Sequence, residues 1–157
     1  MKKREKALEV ARKLENAGIT IHDIVELLRE TATEDISKFI DKSTDKKICE
    51  LLIQLGISVK NRGFEYWKEA IKYCYQTENI RPRMTNEIYP VVAQKCLTTS
   101  KAAERTMRHT IESSWEKGNL DLKNKIFAYT VSNFKDNPTN SEFLSAITNY
   151  LILENLK

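Results

Sequence analysis

The sequence predicts an all-α fold, and three observations carry that reading. Apolar residues recur at spacings of three and four along most of the chain, the pattern of helices with one buried face, whereas strand signals are weak. The interruptions, at Gly18, Gly56, Gly118-Asn119 and Asn137-Pro138-Thr139-Asn140, carry the residue types that end helices. Composition is that of a globular protein: 157 residues, 41% apolar and 31% charged, with neither the polarity of a disordered chain nor the apolar runs of a membrane one. Such a length can bury one core plus a small appendage, and is too short for two full-sized domains.

Taken in order, Lys3 to Ala17 is amphipathic through Ala7, Leu8, Ala11 and Leu14, with Gly18 placed to close it. Thr20 can cap a second helix, with Asp23 three positions on in a capping-box arrangement, carrying Ile21, Ile24, Val25, Leu27 and Leu28. Thr33 or Glu34 starts a short third segment through Ile36, Phe39 and Ile40, and Ser43-Thr44-Asp45 forms a polar break. Residues 1–45 therefore read as a small N-terminal helical unit, close to the size below which a chain seldom holds a core alone.

Residues 46–157 read as the larger domain. Ile48, Leu51, Leu52 and Leu55 make one helix, stopped by Gly56. Arg62-Gly63 precedes another, with Tyr66, Trp67, Ala70, Ile71, Tyr73 and Cys74 aligned, and the polar stretch Gln76 to Arg83 with Pro82 is a loop. Met84 to Cys96 is a further helix, in which Pro90 is tolerable if the helix begins near Glu87 or is kinked. Beyond Gly118-Asn119 come a segment from Leu120 to Val131 and a last helix with Phe143, Leu144, Ile147, Tyr150 and Leu151.

The stretch Thr98 to His109 is the most informative. Ser100 or Thr99 supplies an N-cap hydroxyl; Ala103, Met107, Ile111 and Ser114 then fall on one stripe, while Lys101, Arg105, Arg108 and Glu112 point the opposite way, with His109 at the edge. Any exposed amphipathic helix can carry charge on its outer face. Here, however, Leu97 and Thr98 join it to the preceding helix through a connection of helix-turn-helix length, and residues 81–109 hold six basic residues against two acidic ones, a surplus equal to the chain's formal +4. Together these point to a helix-turn-helix contacting double-stranded DNA, with Glu104 and Arg105 in the turns that reach base edges.

Other chemistries find little support. Cys49, Cys74 and Cys96 are widely spaced within helical apolar patterns and read as buried free thiols, and with only His22 and His109 available we find no compact metal-ligand set. There is no phosphate-cradling glycine loop and no nucleophile, base and acid at catalytic spacing, so neither an enzyme nor a cofactor is expected. No eighteen-residue apolar run exists and the N-terminus is charged, which points to a cytoplasmic protein without a membrane partner.

The run Ile48 to Glu154 resembles the C-terminal effector domain family of stage-zero sporulation protein A, the sporulation response regulator. The matching pieces include Leu55-Gly56-Ile57, Gly63 to Ile71, Ile88-Tyr89-Pro90, Thr98-Thr99, Glu104-Arg105, Arg108-His109, Trp115 to Asn119, Tyr129-Thr130-Val131-Ser132 and Lys135 to Phe143. The resemblance implies a six-helix DNA-binding domain that occupies short, often tandem boxes and contacts RNA polymerase sigma factor. It places Glu104 and Arg105 at the base-reading pair, Arg108 and His109 beside the phosphate backbone, with Thr99, Ser100 and Lys101 in the same DNA-binding set. It also lays the sigma-contacting region over Trp115 to Thr130, whose polar candidates are Glu116, Lys117, Asn119, Asp121, Lys123 and Lys125; Trp115 and Phe127 themselves read as core. Two departures stand out. The family carries Arg where this chain has Ala102, and the 47 residues before Ile48 are too few and too helical for the family's phosphoacceptor receiver.

Two functions follow as expectations: a sequence-specific transcription regulator without a receiver, or a protein-interaction modulator that pairs with a full-length regulator or with sigma factor. Residues 1–47 hold eleven basic against ten acidic residues yet carry full apolar faces in Leu8, Ala11, Leu14, Ile24, Leu27, Leu28, Ile36 and Phe39. They are expected to form a homodimer or partner interface, or else to cover the effector core.

Overall fold

A computed structural model of the chain describes residues 2–128 and 137–155. The described residues are helical, with no strand among them: α1 (Lys2–Asn16), α2 (Ile21–Gln54), α3 (Arg62–Gln76), α4 (Tyr89–Lys95), α5 (Ser100–Ser114), α6 (Leu120–Phe127) and α7 (Asn140–Asn155), with one π-helical turn, Met84–Ile88, leading into α4. The family-like pieces Tyr129 to Ser132 and Lys135-Asp136, the end of the segment expected to reach Val131, and the side chains of Ala7 and Ile21 lie outside the described residues. The chain divides into two compact units, residues 1–43 and 44–157.

In the first unit α1 ends as its sequence demands. Gly18 takes φ +72°, its N–H bonds the Glu15 carbonyl at 3.0 Å and that of Ile19 bonds Leu14 at 3.0 Å, the crossed pair that satisfies the last carbonyls of a helix. The Thr20/Asp23 capping box is present: the Thr20 N–H donates to Asp23 Oδ2 at 2.7 Å and the Asp23 N–H to Thr20 Oγ1 at 3.2 Å. Thr20's donated bonds hold the Asp23 carboxyl below its ordinary range. The separate third segment and the break at Ser43-Thr44-Asp45 are not observed, since α2 runs unbroken through both. Polarity alone does not stop a helix; with neither Gly nor Pro in that stretch every N–H keeps its bond, and Glu34–Lys38 and Lys46–Glu50 pairs line the exposed side.

The second unit has a continuous core. The last turns of α2 contribute Ile48, Leu51 and Leu52, and Leu55 follows beyond the helix end. α3 packs on α5 and α7, and α4 on α5. Trp67, fully buried, packs at a tilt against Phe143, ring centroids 4.6 Å apart, and donates from Nε1 to the Met107 carbonyl at 3.1 Å, locking α3 to the middle of α5. Phe127 bridges Phe143 and Trp115, with ring centroids 5.6 and 5.1 Å away. Gly56, at φ +93°, lets the α2 terminus meet the turn after α5: a Cβ there would lie 2.7 Å from the Gly118 nitrogen. The N–H of Asn119 donates to the Gln54 carbonyl across that junction.

The Pro90 question resolves through the π-helical turn. Pro90 falls at the start of α4, where a missing N–H costs nothing, and the preceding turn absorbs the change of pitch. Of the three cysteines, expected to be buried, only Cys74 is fully so; Cys49 and Cys96, near the ends of α2 and α4, are half-buried. All three are free thiols, and burial pushes Cys74 up to about 12.

Candidate nucleic-acid interface

α4 and α5 are joined by Cys96 to Thr99. Leu97 makes the corner in the left-handed region, φ +53°, and is 93% exposed. Thr99 rather than Ser100 is the N-cap: its Oγ1 accepts the Ala102 N–H at 3.2 Å, and Ser100 is the first helical residue. α5 then buries Ala103, Met107, Thr110, Ile111 and Ser114, the expected stripe with Thr110 added. Lys101, Ala102, Arg105, Arg108, His109 and Glu112 are exposed, with Glu104 half-buried beside them.

Arg108 Nη2 lies 3.5 Å from Glu104 Oε1, and His109 Nδ1 lies 4.0 Å from Glu112 Oε2. Lys101 and Arg105 have no ion-pair partner among the described residues. Lys95, counted in the basic cluster, is diverted to Glu69 at 3.0 Å on α3. The unpaired positive charge is therefore concentrated at the start of α5 and at Arg81 and Arg83 before α4.

Sequence reasoning missed two supports of this helix. Asn61 caps α3, accepting the Gly63 N–H at 2.9 Å, and also accepts from Thr110 Oγ1 at 3.3 Å. It lines an open groove with Arg105, Arg108 and His109, between exposed Lys60 and Arg62. Asn140, at the start of α7, donates from Nδ2 to Tyr89 Oη at 3.0 Å and to the Glu104 carbonyl at 3.2 Å, so one side chain joins α4, α5 and α7. Burial raises the Tyr89 phenol above its ordinary range. The sequence signal for Asn140 was only an Asn-Pro-Thr-Asn break with a last helix after it. The Thr139/Glu142 capping box bears that out, at 2.8 and 3.2 Å.

The six polar candidates after α5 separate into two groups. Glu116, Lys117, Asp121 and Lys125 are exposed, Lys125 reaching Glu154 at 3.7 Å. Asn119 is the α6 N-cap, accepting from the Leu122 N–H at 3.1 Å. Lys123 is buried, its ammonium donating to the Trp115 carbonyl and lying 5.1 Å over the Trp115 ring, and burial lowers its pKa. The reason is local: the carbonyls ending α5 need a donor, and a long side chain one turn into α6 supplies it with a charge that opposes the helix dipole. Lys123 is thus inward, contrary to its expected place on a contact surface.

No described helix is long and apolar enough to cross a membrane, and no group of three or more potential metal ligands occurs among the described residues. Residues 48–151 match the family model described as Sporulation initiation factor Spo0A C terminal. That match covers well over half of the chain, including α3 to α6 and most of α7, and the family is one of non-enzymatic effector domains. The chain therefore belongs to the Spo0A C-terminal family of helical, DNA-binding transcription-regulator domains.

Proposed function

We propose that this chain is a sequence-specific double-stranded DNA-binding regulator that reads base edges with the first turns of α5. The two-sidedness of that helix supports the reading most. Its inner face is locked into the core, and its outer face offers unpaired Lys101 and Arg105 at a capped N-terminus. An α-helix fits the B-DNA major groove, where Arg105 can donate to guanine O6 and N7 and Glu104 can accept from cytosine N4. Arg108 exchanges its Glu104 partner for a phosphate, which frees Glu104 for a base. His109, Lys101, Thr99 and Ser100 contact the backbone, and Lys60 and Arg62, exposed on either side of Asn61 in sequence, extend that contact.

The exposed set Glu116, Lys117, Asp121 and Lys125 is the face we assign to RNA polymerase sigma factor, held in shape by Asn119 and Lys123. Residues 1–45 we assign to assembly of the regulator, since their balanced charge offers DNA no attraction. Anisotropy titration against a family-type box and a scrambled duplex tests the reading: the box is expected to bind tighter by about 10³-fold or more, and equal binding would overturn it. The rival, a modulator pairing with a full-length regulator or sigma factor, is favoured by exposed Ala102 where the family carries Arg. It gains if neither duplex binds.

A further inference from the structure

Among the described residues up to 43, none is buried. Leu8 and Val10 on α1 and Val25, Leu27, Leu28, Ile36, Phe39 and Ile40 on α2 are between 43% and 74% exposed, Phe39 the most. Single exposed apolar side chains are ordinary, but these form a row. Along α2, Val25, Leu28, Ala32, Ile36 and Phe39 follow one another at spacings of three, four, four and three, the seam of a helix that packs on another helix. The Gly18 terminator and the capping box fix where α1 ends and α2 begins, while the surface that would bury the two helices is not supplied by their own unit.

Charge identifies the occupant. α1 holds six basic against three acidic residues, and residues 21–43 hold three basic against six acidic, so the unit carries nine of each and sums to zero. A unit that sums to zero gains no net attraction to DNA or to an anionic membrane surface. Two copies of such a unit, by contrast, can alternate positive and negative helices around a bundle with every neighbour of opposite sign. We propose, resting on the assignment of residues 1–45 to assembly, that this unit pairs with a second copy of the chain as a four-helix bundle. In it each α1 lies beside the partner subunit's α2, and the Val25-to-Phe39 seam forms the centre. A stable interface draws on about 20–30 residues a side, which the facing sides of two helices in a 43-residue unit can supply.

The test uses the full chain. Sedimentation equilibrium at about 0.1 M salt or below should give twice the 18.2 kDa chain mass. Leu28→Glu with Phe39→Glu should weaken association at least about 100-fold, while Phe39→Leu leaves it intact. Unchanged Trp67 and Trp115 fluorescence would show that the effector core is still folded in each variant. A chain carrying Lys6→Glu, Arg12→Glu, Lys13→Glu, Glu26→Lys, Glu30→Lys and Glu34→Lys should associate with itself and mix poorly with wild type. A wild-type monomer at about 100 μM would overturn the proposal, as would a dimer indifferent to the glutamates. Free mixing of the charge-reversed chain with wild type would overturn the α1-beside-α2 arrangement. A monomer that instead floats with phosphatidylcholine–phosphatidylserine vesicles would assign the face to lipid. Affinity for a single DNA box, read in the same samples, separates failure of this proposal from failure of the DNA-binding reading.

Discussion

Arg105 and Arg108 share a face of α5 but are held differently, and their substitutions should differ accordingly. Arg105→Ala removes an unpaired guanidinium that we propose reads base edges, so specific affinity should fall by about 1–3 kcal/mol with relaxed preference at one guanine. Arg108→Ala removes a charge already shared with Glu104, so all sequences should weaken alike and the salt dependence should flatten by roughly one unit of slope; anisotropy at several salt concentrations checks both. Leu97 presents a different case. A leucine in the left-handed region costs about 1–2 kcal/mol, and at 93% exposure it recovers nothing by burial. Leu97→Asn should therefore raise unfolding free energy by several tenths to about 1 kcal/mol in urea titration; unchanged or lower stability would show that Leu97 makes contacts its exposure does not reveal. Cys74 gives a pH signature. Its folded-state pKa of about 12 lies above the 9.0 of an ordinary thiol, so between those values the unfolded chain releases a proton that the folded one keeps. Stability must then fall as pH rises through that window, and Cys74→Ala should show a shallower decline.

Among the helices, the close approach of α3 to α5 depends on Gly63. A Cβ there would run into the Thr110 side chain, in the helix to which we assign the reading face. Gly63→Ala should cost about 2 kcal/mol or more, and should weaken DNA binding even where the protein stays folded, because α5 must move to make room. The inward stripe of α5 was legible because Ala103, Met107, Ile111 and Ser114 repeat at helical spacing. Thr110 was not, since a hydroxyl satisfied by the Thr106 carbonyl can be buried without any apolar signal. The Gly18 end of α1 and the Thr20/Asp23 start of α2 were legible for the complementary reason: their bonds are local, within a few residues of chain. Asn140 as a brace and Lys123 as an inward donor were hidden. Each depends on elements brought together from 36 or 51 positions away, or on which side of α6 faces the end of α5. The α2 break failed on the same principle, because a cluster of polar residues marks exposure and not an end.

At the scale of the whole molecule the two units have been given different currencies of stability. Residues 44–157 hold a core of aromatic and aliphatic side chains that closes without help. Among the described residues up to 43 none is buried, so on the proposed pairing their order comes from a second chain. Limited trypsin digestion should read this directly. In dilute protein the nine basic residues of the first unit should be cut early, leaving a resistant fragment that begins just beyond it, whereas concentrated protein should protect them. Equal protection at both concentrations would mean that something other than a second chain shelters the unit. The unburied row from Val25 to Phe39 thereby acquires a meaning for control. If order in those helices is bimolecular, the number of assembled regulators rises with the square of their amount at low dose, and the chain becomes a gauge of its own synthesis, quiet when scarce and abruptly paired once it accumulates.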